Sequence, residues 1–554
     1  MKKVVVVFSV LALIMLLVTI VPAMAAKPKY SLNGIGKVLV QGAPIHGANG
    51  IMFDSNDRLN IASVFGSEIA VMDPKSGRIL KSIPASGPDD LTFGPDGSLY
   101  YTSPTTGYVF RIKPDGTITS QYVALGVNPI TFSANGRLFV ACDFQGDGLY
   151  ELDPNLVNPP IQIAGAPVTP FLGFLNGMDF GPDGRLYAPV WTQGRVVSID
   201  VDASPFAMTT VCDGLGLPAA VKFDSQGRLY VGDQLKGEVS RVDLETGTKE
   251  VIATGLVGLD NLAFDSRDQL YVSNADDGSI HKVLASGQTR LVSGGGIIWP
   301  GGLAMVPNSH AGESVFVADL WGLREFDGLT GKAESVELSF LALPGSIIAP
   351  MTVSADGENL ILSSWVSDSV QLWNPQTGIG TTVKDYTGSP VIPLNAIKFG
   401  DEIVIADFNI ISLFGGVIRA SDSSPIVSRL AVPMGLAAIG DDLYVADWYL
   451  GMVFRIVTDG VPTFVPVATG LSGPEGLAVD LDGNLLVVES GAGRLSRIDV
   501  ETGTVSTIVE GLEIGIAVPT VPWGQFNGVA VGPTGYIYVT GDMANVLYRL
   551  KPSN

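Results

Sequence analysis

One phrase recurs along the chain, and its recurrence limits the possible folds more than any other feature. Asn176-Gly177-Met178-Asp179-Phe180-Gly181-Pro182-Asp183-Gly184-Arg185-Leu186-Tyr187 has a counterpart in Glu475-Gly476-Leu477-Ala478-Val479-Asp480-Leu481-Asp482-Gly483-Asn484-Leu485-Leu486. Each copy reads as a short alternating strand, an Asp-Gly turn and a second strand, because tight hairpin turns need positive φ and alternation marks a half-buried strand. Taking the residue before the first strand as a marker, copies begin at Asn49, Asp89, Asn128, Asn176, Ala219, Asp260, Gly301, Ala349, Asn395, Met434, Glu475 and Asn527, spaced 39 to 52 residues apart. Most copies continue with a third strand, as from Glu238, and a fourth after a Thr-Gly or Asp-Gly turn, as from Thr246. Four antiparallel strands at this period form the blade of a β-propeller.

Propellers carry four to eight blades, so twelve copies in 554 residues predict an all-β chain of two tandem six-bladed rings. Closure by terminal strands permits five plus seven equally. The last copy stops after its third strand, and an orphan strand, Gly36-Lys37-Val38-Leu39-Val40-Gln41, precedes the first. An open sheet edge invites aggregation, so terminal strands are expected to close the rings. In the six-plus-six arrangement the N-terminal strand completes the sixth blade, and the strand near Thr289 completes the twelfth. The expected division is a signal segment at 1–26, a first propeller at 27–288 and a second at 289–554, with Gly294-Gly295-Gly296 near the join.

The repeats resemble those of NHL-repeat and gluconolactonase/regucalcin-like propellers, through Asn176 to Tyr187 and Pro474-Glu475-Gly476-Leu477-Ala478-Val479-Asp480. The likeness spans nearly the whole mature chain, but its motif belongs to a fold that hosts many activities. In the lactonase group the resemblance implies a divalent metal held by Glu, Asn and Asp at the channel mouth, polarising a lactone carbonyl and activating water. Asn176 matches that pattern best, with Asp89 or Asp260 as the acid. No Glu opens the first blade, and Ala219 stands where that group tends to have Asp.

Read from the residues, the first ring's mouth presents Asn49, Asp89, Asn128, Asn176 and Asp260, five oxygen donors in six positions. Such a set suits a hard divalent cation, Ca²⁺ above all. The same residue types also cap strand ends. The second ring offers Asn395, Glu475 and Asn527, a competing and sparser set. Trp299, Trp321, Trp365, Trp448 and Trp523 map to one face of that ring, where they could stack on a sugar, polymer or apolar ligand, or pack between blades. Asp233, Asn274, Asp319, Asp407, Asp447 and Glu489 each end a second strand, which predicts a structural role in binding loop amides.

Composition narrows the function classes. A net charge of −22 argues against nucleic acid, which needs clustered Lys and Arg. Lys2 and Lys3, the apolar run from Val4 to Val21 and Ala23-Met24-Ala25 form an export signal, either cleaved or kept as an anchor, since the run is long enough to span a membrane; it places the protein in the periplasm, on the cell surface or outside, with no further membrane span expected. Cys142 and Cys212 fall in different repeats and are expected as separate thiols. His46, His281 and His310 occupy unrelated repeat positions, which disfavours a His dyad or zinc site; His46, near the first mouth, is the one candidate base. There is no haem motif, nucleotide loop or quinone-docking turn with its Trp. Three functions follow: a binding protein with a channel cation and an aromatic face for a small molecule, sugar, polymer or envelope protein; a metal-dependent lactonase or esterase; and an envelope scaffold. No catalytic residue is assigned.

Overall fold

The structure, a computed structural model, describes residues 36–143, 146–307, 313–339, 346–516 and 526–551. The signal segment and Trp523 lie outside the described residues. Twelve four-stranded antiparallel sheets are formed, one per repeat. They make two tandem six-bladed propellers. Blades 1 to 6 span 48–84, 91–122, 127–164, 179–212, 218–253 and 259–293; blades 7 to 11 span 300–338, 352–385, 391–430, 433–469 and 474–510, and the last three strands, at 529–550, belong to blade 12. Within each ring the first strand of a blade neighbours the first strand of the next, and the sixth neighbours the first.

Burial follows position in the blade. Second strands such as Leu229–Asp233 and Leu485–Glu489 are buried throughout, so they read as continuous apolar runs. Outer strands such as Ala333–Leu338 are exposed throughout. The core is a series of layers between neighbouring sheets. Phe139, Ala141 and Leu149 of blade 3 pack with Leu186, Ala188 and Val197 of blade 4, for example.

Where glycine follows a marker, close approach between inner strands sets that position. Gly50 N donates to Asp89 O at 2.8 Å, and a Cβ there would come within 2.7 Å of that oxygen. In the second ring Gly302, Gly476 and Gly528 donate to Met351 O, Asn527 O and Gly301 O, the last bond joining blade 12 to blade 7.

The expected strand closure is reversed. Gly36–Gln41 pairs antiparallel with Val546–Leu550, Gly36 opposite Leu550 and Gln41 opposite Val546, and completes blade 12. Thr289–Ser293 stays in blade 6, paired with Ile280–Val283. A hairpin through Gly287 closes a short loop, which costs less chain entropy than recruiting a distant strand. The first ring is therefore built wholly from contiguous hairpins. It closes by side chains: Asp57 of blade 1 accepts from Ser266 N at 3.0 Å and Ser266 Oγ at 2.6 Å in blade 6, as Asp268 accepts from Ser225 between blades 6 and 5. The compact units are Ala43–Gly296 and, with the N-terminal strand, Ile297 onward. Both cysteines are buried and unbridged. Among the described residues no helix is long and apolar enough to cross a membrane.

Candidate cation site in the first ring

At the first ring's mouth the structure gathers carboxylates that the repeat markers only partly revealed. Asp89 and Asp260 carry carboxyls pushed well above the usual range, first by burial and then by each other's neighbourhood: Asp143 and Asp90 act on Asp89, and Asp89, Asp90 and Asp276 on Asp260. Asp143, just past the second strand of blade 3, is raised in the same way by burial, with Asp260 and Asp90 adding to it. Its Oδ2 accepts from Asn128 Nδ2 at 2.9 Å. Asp89 Oδ1 and Asp143 Oδ1 are out of contact with solvent and have no hydrogen-bond donor.

Beside these lies a second group that is already satisfied. Asp90 Oδ1 accepts from Leu91 N at 2.9 Å and from Asn261 Nδ2 of blade 6 at 3.3 Å, while its Oδ2 accepts from Ile130 N of blade 3 at 3.0 Å. Asp90 thus ties three blades together. Its carboxyl is still raised by burial, against the opposing pull of Lys222 and these bonds.

Of the five positions expected from sequence, Asp89, Asp260 and Asn128 belong to this cluster. Asn176 Oδ1 accepts from the next amide, Gly177 N, at 2.8 Å, a local cap of the kind its residue type favours. Asn49 is half-buried, and its backbone oxygen accepts from Ser273 Oγ at 2.6 Å. Asp90, Asn261, Asp143 and Asp276 were missed. The column after the marker, where Asp90 and Asn261 stand among Gly50, Pro129, Gly177 and Ala220, carried a signal for the first two. Among the described residues no three His, Cys, Asp or Glu side chains form a ready-made metal centre. The donor chemistry nevertheless fits a hard cation, through two orphaned carboxylate oxygens and a flanking amide.

The second ring is different in kind. Glu475 Oε2 accepts from Asn527 N at 2.7 Å and Nδ2 at 2.9 Å, and burial raises Glu475 to about 7. Glu475 and Asn527 come together as expected, but they satisfy each other. Asn395 instead lines a cavity of about 270 Å³ in the channel. A larger open groove, about 450 Å³, lies along the edge of blade 5; its Arg228 and Arg241 are paired with Asp224 and Glu250.

No family model matches the chain, and no curated protein matches it. Among solved structures the chain is similar to the calcium-binding protein regucalcin from Agrobacterium tumefaciens, at 16% identity over 46% of this chain and 90% of that one, with a TM-score of 0.35. It is similar at 15% identity, over 44% of this chain and 87% of the other, to the gluconolactonase XC5397 from Xanthomonas campestris, TM-score 0.35. The extracellular domain of the two component system BT4673 from B. thetaiotaomicron aligns over 94% of this chain and 83% of its own length, at 12% identity and TM-score 0.32. Likeness at this level leaves the chemistry to be argued from the residues.

The strand-end residues act structurally. Asp233 accepts from Gly216 N and Leu217 N, Asp319 from Ile298 N and Trp299 N, and Asp447 from Ala431 N and Val432 N. Asn274 and Glu489 also bind loop amides, and Asp147 and Asp542 repeat the pattern. Asp407 departs from it, facing the Tyr386 hydroxyl at 3.5 Å. Of the tryptophans, Trp299 and Trp365 are buried, so their faces are occupied by packing. Trp321 and Trp448 are half-buried, and Trp448 Nε1 donates to Ser490 Oγ at 3.3 Å.

Proposed function

We propose that the protein is an exported binding protein whose first ring takes a divalent cation, Ca²⁺ by preference, at its channel mouth. The observation that supports this reading is the pair of buried carboxylate oxygens, Asp89 Oδ1 and Asp143 Oδ1, with no donor, in a neighbourhood of like charge. Buried carboxylates this close hold protons unless a cation neutralises them. Asp89, Asp143 and Asp260 would hold the ion with the Asn128 carboxamide, and water would complete a shell of six to eight oxygens. Export rests on the charged, apolar and small-residue succession of 1–26.

Calcium titration of chelator-stripped protein by calorimetry tests the reading. Saturable binding is expected, weakened at least about tenfold in Asp89→Asn and in Asp260→Asn, since each removes a charge from the ligand set. No heat of binding from Ca²⁺, Mg²⁺ or Mn²⁺ would sink it. Hydrolysis of a lactone panel, sensitive to chelator and lost in Asn176→Ala, would replace it with the enzyme reading; the local cap on Asn176 speaks against that outcome.

A further inference from the structure

Two neighbouring loops of the second ring carry apolar tips that the blade itself does not require. In blade 9 the loop from Glu402–Asn409 to Phe414–Arg419 reads Ile410-Ile411-Ser412-Leu413, and in blade 10 the loop from Asp442–Asp447 to Met452–Thr458 reads Trp448-Tyr449-Leu450-Gly451. The same turn in blades 2 and 6 is Pro104-Thr105-Thr106-Gly107 and Ala275-Asp276-Asp277-Gly278. Ile411 is 74% exposed and Tyr449 71%, with Leu413, Phe414 and Leu450 about half exposed. Both loops join a second strand to a third, so they leave their blades at the same face. They adjoin through the segment between the blades: a Cβ on Gly415 would collide with Pro433 Cδ, and Trp448 N donates to Val432 O at 2.9 Å. Together the five side chains present roughly 500 Å² of apolar surface, a size at which an exposed patch marks a protein or membrane contact.

We infer that this face docks on an uncharged, zwitterionic lipid bilayer, with the two tips entering its interface. No Asp, Glu, Lys or Arg occurs from Phe408 to Val417 or from Trp448 to Phe454, in a chain of net charge −22. That charge repels anionic lipid and a second copy of the chain alike, and a neutral surface is what remains. The tips also withhold their backbone donors. Ile411 N and Ser412 N both donate to Asn409 Oδ1 at 2.9 Å, and Leu413 N to Asn409 O at 2.9 Å. Leu450 N donates to Asp447 Oδ1 and Gly451 N to Asp447 O, each at 3.1 Å. Lipid tolerates backbone whose polar groups are bonded internally, whereas a protein partner is recognised by hydrogen bonds as well as by apolar contact. Trp and Tyr are the side chains that settle at headgroup level, and Trp448 Nε1 is already bonded to Ser490 Oγ.

The test is flotation of residues 27–554 with phosphatidylcholine vesicles. This span holds every strand of both rings and leaves out the apolar run of 4–21, which would bind lipid by itself. The protein is expected to float with the vesicles, and partitioning should fall at least tenfold in Ile411→Asp and in Tyr449→Asp. Leu481→Asp alters a comparably exposed residue in a turn between first and second strands, at the opposite end of blade 11, and should leave partitioning unchanged. All three sites are exposed, so an unchanged melting temperature separates lost docking from lost folding, and either tip variant alone suffices for the reading. Absence of flotation would overturn the inference, as would flotation only when phosphatidylserine is present, or a loss in Leu481→Asp equal to that in the tip variants. A dimer in sedimentation velocity that Ile411→Asp dissolves would overturn it too, by giving the face to a second copy.

Discussion

Several buried acidic residues in this chain are held by backbone amides, and they differ in what that burial does to them. Asp447 is fully buried and accepts from Ala431 N at 2.7 Å, Val432 N at 3.2 Å and Leu450 N at 3.1 Å. Asp447→Ala strands these donors and is expected to cost about 2–3 kcal/mol, read as a lower urea midpoint. Backbone amides also reach Glu475 and Asp542, but burial outweighs them. Burial raises the two carboxyls to about 7 and about 6, above the ordinary carboxylate values near 4 that hold in the unfolded chain. Between those limits the folded state binds more protons, so stability is full at low pH and falls as pH rises toward 7. The second ring's melting temperature should drop by about 5 °C between pH 5 and 7.5, and Glu475→Gln should flatten the drop. A midpoint that rises over this range would contradict the burial argument.

At the scale of strands and sheets, the informative element is Gly36–Gln41. It covers the edge of Val546–Leu550, and Gln41 Nε2 also donates to Ala544 O at 3.1 Å. Gly42 follows directly, donating to Asn545 O at 2.7 Å where a Cβ would lie 2.4 Å from that oxygen. Deleting 36–41 leaves an apolar edge strand unpaired. The expected result is a second-ring transition lowered by about 6 °C or more, with higher oligomers in size-exclusion chromatography. Identical melting and a clean monomer would show that the closure carries no weight.

At the scale of the whole molecule, the closure makes the first ring an insertion in the second. Residues 43–296 contain six complete sheets and should fold alone, giving a dispersed amide spectrum and one cooperative transition. Residues 297–554 lack a strand and should fold only when a peptide spanning 36–41 is supplied. Twelve blades and the roles of Asp233, Asp319 and Asp447 were legible in the sequence, because hairpin turns and buried second strands write themselves as local patterns; the limits of blades 6 and 12 were not. The cluster of buried carboxylates was legible by half. Asp89 and Asp260 stand in the marker column, whereas Asp143 joins them through the ring's curvature, which brings a second-strand end beside first-strand starts. Asn176, the best match to a known motif, turned out to cap its own turn. The sequence by itself determined what each forty-residue unit becomes, since a blade is set by periodicity and turn chemistry within reach of a few residues. Which distant strand closes which ring, and which buried carboxylates act on one another, only the tertiary structure decided: both depend on contacts between residues far apart in the chain, where loop entropy and burial choose among pairings that the local pattern leaves equal.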